Sequence, residues 1–197
     1  MVGILSLPAD FTAWSPAQQR QGLIHLLKHL SYCQGTFTLS SGKTSPHYLN
    51  CKPVALHPQG AWLIGRHLLA LLPPETQAVA GMTLGADPLV TAVSLAGLAA
   101  GRFLPALIVR KQAKDHGTQA WLEGLTLEPG SLVWILEDVV TTGKSALAAA
   151  ERIQEAGYRV GGIVTLVDRE EGGHNLYQAA GIPFRRVLTL AEVIAAP

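Results

Sequence analysis

The sequence predicts an α/β fold in which a parallel, twisted sheet is flanked by helices. Four short runs are almost entirely apolar, as expected of strands buried on both faces of such a sheet: residues 78–82, 106–109, 132–136 and 162–167. Helical stretches at 88–100 and 145–156 separate them, and this alternation gives parallel strands joined by right-handed crossovers. Of the 197 residues, 48% are hydrophobic and 15% charged, so the chain can bury a full core and is not disordered.

The segment before the sheet, residues 1–75, is predicted to form helices and a small hairpin. Apolar residues at helical spacing predict an amphipathic helix over residues 16–32, which Gly35 ends. Pro73 and Pro74 close a later helix because proline cannot continue one. The remaining predicted elements are two short strands and that later helix, over residues 36–39, 47–50 and 57–72.

Length and composition predict one cytoplasmic domain without a nucleic-acid or membrane partner. The whole chain, 1–197, has the length of a single domain, with the sheet core at 77–190. Lys and Arg number 15 against 14 Asp and Glu, so there is no positive field to attract nucleic acid or anionic lipid. The longest apolar run, 88–101, is shorter than the roughly 20 residues that span a bilayer. Cys33 and Cys51 form no metal or disulfide pattern, which fits a reducing cytosol.

The most informative segment is an apolar strand that runs into two acids, a small turn and a helix. The acids are Glu137 and Asp138, which Val139 and Val140 follow, and the turn predicted to hold a phosphate comprises Thr141, Thr142, Gly143, Lys144 and Ser145. Successive backbone N–H groups and the positive end of the helix dipole form a cradle for a phosphate. The acids would repel that phosphate unless a ribose lay between them, because ribose hydroxyls donate to carboxylates. The segment therefore predicts a ribose 5-phosphate site.

Two other interpretations of this segment are weaker. A Walker phosphate loop would need a glycine five residues before Gly143, where Asp138 stands. A plain strand, turn and helix with polar capping residues would leave two buried acids unsatisfied, which is costly.

The segment resembles the type I phosphoribosyltransferase family, whose hallmark is two acids followed by a small Thr/Gly turn. Three more segments resemble the orotate phosphoribosyltransferases: V-R-K-Q-A-K-D-H-G-T at 109–118 followed by Glu123 and Gly124, residues 37–48, and D-R-E-E-G at 168–172. The resemblance implies the type I phosphoribosyltransferase fold, with a small N-terminal hood over the site. It also implies transfer of a phosphoribosyl group from 5-phosphoribosyl 1-pyrophosphate (PRPP) to orotate, giving orotidine 5-phosphate and pyrophosphate in pyrimidine synthesis.

The resemblance assigns individual residues to the donor. Those implied to bind PRPP are Arg110, Lys111, Lys114, His116, Glu137, Asp138 and residues 139–145. Of these, Lys114, His116 and Asp138 would be catalytic. Cationic donors that close around pyrophosphate as its charge builds up lower the barrier selectively. We interpret the polar connection 112–130 as a mobile lid, with a disordered insertion as the alternative; in the family this loop reaches a neighbouring subunit, which implies a homodimer with shared sites.

The acceptor and the metal are implied in the same way. Orotate would contact Thr141 and Arg169, although Arg169 could instead form a surface ion pair with Glu170 or Glu171. Mg²⁺ is expected to bind mainly through the donor's oxygens rather than through protein ligands. The turn at 83–88 resembles the family's pyrophosphate-binding turn, and Asp87 is predicted to cap the helix that follows rather than to bind metal.

Several positions depart from the family pattern. Some orotate enzymes have lysines where Ser40 and Gly85 stand, although Lys43 could restore one contact. Leu49 replaces a frequent aromatic residue, and Lys144 adds a cation to a turn that usually has a small residue there. These differences bear on donor affinity.

Other features have no such assignment. His25 and His29 lack a third metal ligand. Three of the tryptophans are predicted to be core residues: Trp14, Trp62 and Trp134. Trp121 has no assigned role.

Two other functions stay open. One is a phosphoribosyltransferase for another base, which the Arg169 region and the hairpin would decide. The other is a regulator that senses the donor and binds nucleic acid, for which the net charge of +1 and the absence of a spare domain are unfavourable.

Overall fold

A six-stranded sheet and a separate two-stranded hairpin organise the part of the chain that the structure describes. The computed structural model describes residues 5–38, 42, 44–112 and 121–197. The strands are β1 (Tyr32–Thr38), β2 (Thr44–Leu49), β3 (Ala78–Met82), β4 (Ala106–Val109), β5 (Leu122–Glu123), β6 (Leu132–Val140), β7 (Arg159–Asp168) and β8 (Phe184–Thr189). The helices are α1 (Pro16–Leu30), α2 (Lys52–Ala55), α3 (Pro58–Ala70), α4 (Asp87–Ala99), α5 (Lys144–Glu155), α6 (Gly173–Ala179) and α7 (Leu190–Ala195), with a 3-10 turn at Phe11–Ala13.

The sheet has the strand order β5-β4-β3-β6-β7-β8. All neighbouring strands are parallel except β5, which runs antiparallel to β4. The predicted α/β fold with a parallel sheet is confirmed. The two edge strands, β5 and β8, are not apolar runs: β5 has two residues, inside the predicted polar connection, and β8 carries Arg185 and Arg186. Edge strands are exposed along one side, so an apolar pattern does not reveal them.

Helices cover both faces of the sheet because successive residues of a strand point to opposite faces. In β6, Trp134 and Leu136 join a core formed with α1, α3, α4 and α7. Val133 and Ile135 of the same strand join a second core formed with α5 and α6. The sheet is therefore the middle of three layers.

The N-terminal hairpin forms as predicted, but its first strand, β1, begins at Tyr32 rather than at residue 36. α1 starts after Ser15, whose hydroxyl caps it, and ends at Leu30. β1 then begins at Tyr32, which pairs with Leu49 of β2. Gly35 therefore lies within a strand whose pairing register shifts around it, and the prediction that it ends the helix is wrong. Pairing of Tyr32, Cys33 and Gln34 with β2 satisfies backbone groups just after α1, which outweighs the helical pattern there.

The other predicted elements lie close to their observed bounds. β6, however, continues to Val140 because it pairs with β7 as far as Asp168, so the two acids stand inside the strand rather than after it. Trp134 is buried, and Trp14 and Trp62 pack, partly buried, against the same core. Within the described ranges, no helix is both long and apolar enough to cross a membrane.

Candidate active site

Polar residues collect at the carboxyl ends of β3, β6 and β7, the edge where α/β sheets commonly bind ligands. β6 ends at Val140, and α5 begins at Lys144. Between them, Gly143 has a left-handed conformation with a φ of 82°, which costs other residues roughly 1–2 kcal/mol. Glycine at this position lets the chain turn directly from the strand into the helix.

The turn presents unused backbone donors. Among the described residues, no N–H group of residues 141–145 donates a hydrogen bond to the protein. The turn borders a cavity of about 70 Å³ that is lined by Glu137, residues 139–146 and Tyr177. These amides lie at the N-terminus of α5, where the helix dipole favours an anion. The structure thus brings the predicted phosphate-binding turn together in one cavity.

Glu137 lines this cavity and Asp138 follows it in β6; both residues are half-buried. Oε2 of Glu137 is buried and has no hydrogen-bond partner in the described part of the chain. Burial is the main cause that raises the pKa of Glu137 to about 8, and the charge of Asp138 is a smaller one, while the charge of Lys111 opposes the shift. Burial also raises the pKa of Asp138, although the Val139 N–H donates to its Oδ1 at 3.0 Å. Hydroxyl donors from a ligand would satisfy these carboxylates.

The turn after β3 contacts the second of these acids. A Cβ atom at Gly85 would lie 2.6 Å from Oδ1 of Asp138, so a lysine there would displace the carboxylate. This contact accounts for one departure from the family pattern. Asp87 is the first residue of α4 and forms no side-chain cap. The prediction that it caps the helix is wrong, because its Oδ2 instead accepts a hydrogen bond from the Thr83 hydroxyl at 2.9 Å.

Arg169 follows β7 and joins the sheet to the hairpin. Its side chain is 3% exposed and pairs with Glu171 at 2.8 Å between Nε and Oε1. Its Nη2 also donates to the Ser45 hydroxyl at 3.1 Å and to the His47 carbonyl at 3.4 Å. The ion pair considered for Arg169 is present, with the arginine buried and the Glu171 side chain 30% exposed. These bonds hold β2 close to the carboxyl end of β7, and contact with orotate stays a prediction.

Other predicted positions have defined places. Thr141 is half-buried, and its carbonyl accepts from the Gly173 N–H at 3.2 Å. Lys144 is exposed as the first residue of α5, at the edge of the cavity. Leu49 is buried in the hairpin.

Of the segment 109–118, which carries the predicted cationic donors, the structure describes residues 109–112, and the described chain continues at Trp121. Nη1 of Arg110 pairs with Oε1 of Glu123 at 2.8 Å, and Lys111 is exposed. Lys114 and His116 lie outside the described residues, as do Ser40 and Lys43. Their predicted roles stay predictions.

Trp121 receives a role that the sequence did not indicate. The guanidinium of Arg152, on α5, lies 4.0 Å from the centroid of its ring. Arg152 also donates to the carbonyls of Arg110 and Lys111. Arg152 therefore contacts the chain on both sides of residues 113–120.

Tyr177 is the site residue that the sequence analysis missed. It stands on α6, and its ring lies against Gly143. An aromatic residue on a short helix is an ordinary core pattern, so no local signal could have placed it here. Outside this site, the rings of His25 and His29 are 4.5 Å apart, and the described residues hold no group of three or more His, Cys, Asp or Glu that could bind a metal.

A parallel sheet whose central strand carries two half-buried acids and opens through an amide-lined turn into a helix defines a type I phosphoribosyltransferase. The chain is 54% identical to the orotate phosphoribosyltransferase of Nostoc sp., over 88% of this chain and 84% of that one. It is 51% identical to the Synechocystis sp. enzyme, over 90% and 89% of the two chains. The chain belongs to the orotate phosphoribosyltransferase family.

Solved structures agree with this placement. The crystal structure of Mycobacterium tuberculosis orotate phosphoribosyltransferase in complex with PRPP has a TM-score of 0.73 and 36% identity, over 89% of this chain and 98% of that one. No protein-family model matches the chain.

Proposed function

We propose that this chain transfers the 5-phosphoribosyl group of PRPP to N1 of orotate, giving orotidine 5-phosphate and pyrophosphate. A bond forms between N1 and the anomeric carbon as the bond from that carbon to pyrophosphate breaks, and the N1 proton is released to solvent. The observation that carries the proposal is the pairing of unsatisfied acceptors with unused donors at one cavity: the Glu137 carboxylate and the amides of residues 141–145.

This pairing matches the polarity of a ribosyl phosphate. The ribose hydroxyls donate to Glu137 and Asp138, and the 5-phosphate accepts from the turn amides. The substrate is thereby held at both ends of the ribose, which fixes the anomeric carbon relative to an incoming base. Arg169, held by Glu171 and the hairpin, is the donor proposed for the orotate carboxylate or ring carbonyls.

The loop 110–116 is proposed to act on the leaving group. Charge builds on pyrophosphate as the anomeric carbon takes on oxocarbenium character, so cations near that group stabilise the transition state more than the bound substrate. Arg110 and Lys111 stand at the described stem of the loop. Lys114 and His116 are proposed to supply the remaining donors, and closure of the loop would exclude water.

Mg²⁺ is proposed to bind mainly through the oxygens of PRPP. The oxygen atoms of the side chains at this edge of the sheet belong to carboxylates and hydroxyls, and hard cations prefer oxygen donors. When bound, Mg²⁺ supplies charge neutralisation on the diphosphate. No residue of this chain is assigned as its ligand.

A homodimer with shared sites and a cytoplasmic location complete the proposal. Support for the dimer comes from the resemblance of residues 109–118 to a loop that, in the family, reaches the neighbouring subunit. Support for the location comes from Cys33 and Cys51, both free thiols, as is usual in a reducing compartment.

The test is turnover by the purified protein with PRPP, Mg²⁺ and orotate, followed as loss of orotate absorbance. We expect no loss when PRPP is omitted. Asp138→Asn should lower kcat by on the order of 10²-fold, as the loss of one preorganised polar group does elsewhere. Glu151→Gln is the matched control, because Glu151 is exposed on α5, and it should leave turnover unchanged.

Other outcomes would favour the alternatives. Turnover with uracil or a purine but not with orotate would indicate a phosphoribosyltransferase for another base. Binding of PRPP without turnover of any base would indicate a donor-sensing regulator.

A further inference from the structure

Tyr177, on α6, lines the cavity that the turn 141–145 borders, and its hydroxyl has no hydrogen-bond partner among the described residues. Its side chain is 0% exposed, and its hydroxyl oxygen is buried without a hydrogen-bond partner among the described residues. A buried hydroxyl that forms no hydrogen bond is unfavourable. The group therefore needs a partner that this part of the chain does not supply.

Packing holds the hydroxyl end of the ring against the turn. A Cβ atom at Gly143 would lie 2.9 Å from Cζ of Tyr177 and 3.0 Å from its hydroxyl oxygen. The ring also packs against Phe184, with the centroids 5.1 Å apart. The hydrogen bond from Gly173 to the Thr141 carbonyl, 3.2 Å long, fixes the start of α6 to the turn. Tyr177 is therefore positioned by its surroundings before any ligand arrives.

The hydroxyl serves as a donor rather than as an anionic acceptor. Burial, followed by the charges of Glu137 and Asp168, raises the pKa of Tyr177 above its ordinary value, so the phenol stays protonated at neutral pH. A protonated hydroxyl beside a cavity lined with amide donors calls for an acceptor in the ligand. Phosphate oxygens are strong acceptors, whereas the ribose hydroxyls are engaged as donors to the acids.

We propose that Tyr177 is a further phosphate-binding residue, whose hydroxyl donates a hydrogen bond to the 5-phosphate held by residues 141–145. This inference rests on the proposed function and adds a side chain from α6 to a cradle otherwise built from one turn. The 5-phosphate does not react, so the hydrogen bond is present in the substrate and transition-state complexes alike. Tyr177 thus contributes to donor affinity and not to the chemical step.

The test is Tyr177→Phe, which removes only the hydroxyl oxygen. We expect the Kd for ribose 5-phosphate, measured by calorimetry, and the KM for PRPP to rise about tenfold, the loss of one hydrogen bond to a charged group. The kcat should change by less than about twofold, as uniform binding requires. Inorganic phosphate alone should lose affinity to the same degree. A loss confined to ribose 5-phosphate would place the hydrogen bond on the sugar and overturn the assignment.

Thermal melting without ligand provides a second readout. The hydroxyl has no protein partner, so Tyr177→Phe should melt at the same temperature as the parent protein or higher. The matched control is Tyr158→Phe at the opposite end of β7, where the hydroxyl accepts from the Leu127 N–H at 3.2 Å. That variant should melt lower and bind ribose 5-phosphate normally. A lowered melting temperature for ligand-free Tyr177→Phe would show a structural role and overturn the proposal.

The Kd measurement with ribose 5-phosphate tests this inference separately from the proposed function. If the parent protein binds ribose 5-phosphate but does not convert orotate, the proposed function fails while the Kd comparison still decides the role of Tyr177. Unchanged Kd and KM in Tyr177→Phe would overturn the inference alone. No binding of ribose 5-phosphate or inorganic phosphate to the parent protein would overturn the inference, whereas the proposed function is decided by turnover of PRPP and orotate.

Discussion

Replacing Glu137 with glutamine should stabilise the ligand-free protein, increasingly so as the pH rises. Burial and the charge of Asp138 raise the pKa of Glu137 from 4.5 to about 8. Between these two values, the folded protein keeps a proton that the unfolded chain has lost. The unfolding free energy of the parent protein therefore falls as the pH rises through this window.

The size of the effect follows from the shift. At 1.36 kcal/mol for each pKa unit, ionisable Glu137 costs about 3 kcal/mol of stability at pH 7 and about 1 kcal/mol at pH 5. A neutral amide avoids that cost at every pH. The same substitution should lower turnover, because the amide offers the ribose one uncharged acceptor in place of a carboxylate. The acid is thus a functional group that the free protein holds at the expense of stability.

Urea unfolding at fixed protein concentration, from pH 5 to pH 8, measures both curves. We expect the stability advantage of Glu137→Gln to grow by about 2 kcal/mol between pH 5 and pH 7, with unchanged m-values. Asp138 is present in both proteins, so its own titration largely cancels in the difference. A constant difference across this range, or a variant less stable than its parent at pH 8, would refute the reasoning. Calorimetry should also detect proton release when ribose 5-phosphate binds at pH 7.

Three further substitutions probe the turn, the acceptor site and the loop. Gly143→Ala should lower the unfolding free energy by about 2 kcal/mol or more and raise the KM for PRPP, because residue 143 has a φ of 82° and the new Cβ would lie 2.9 Å from the ring of Tyr177. The control is Gly157→Ala, where the φ is 87° but the Cβ would meet open space. This control should lose less stability in the same urea titration and leave the KM for PRPP unchanged. Arg169→Gln should raise the KM for orotate and destabilise the protein by about 2 kcal/mol, because the hydrogen bonds to Ser45 and His47 are lost; an unchanged KM would contradict orotate binding by Arg169. Lys114→Ala should lower kcat by on the order of 10²-fold while PRPP binding is partly kept, and unchanged turnover would remove it from the catalytic set.

Local patterns account for most of the correct expectations. The apolar runs predicted the four central strands because a strand buried on both faces has no polar side to display. The edge strands β5 and β8 were not predicted because they are exposed along one side and are not apolar runs. The start of β1 was misplaced because Tyr32 is in a strand through its pairing with Leu49, a contact that helical spacing does not reflect. Asp87 was assigned as a cap from its position, whereas Thr83 is its actual partner.

The sequence alone established the succession of acids, turn and helix at residues 137–145 and the chemistry that it suits, because that motif is contiguous and its backbone donors follow from local geometry. Tertiary structure decided which groups that motif meets. The unsatisfied oxygen of Glu137, the buried bonds from Arg169 to the hairpin and the placement of Tyr177 beside Gly143 all depend on segments far apart in the chain. Burial and partners are properties of the packed molecule, so no spacing of residues along the chain encodes them.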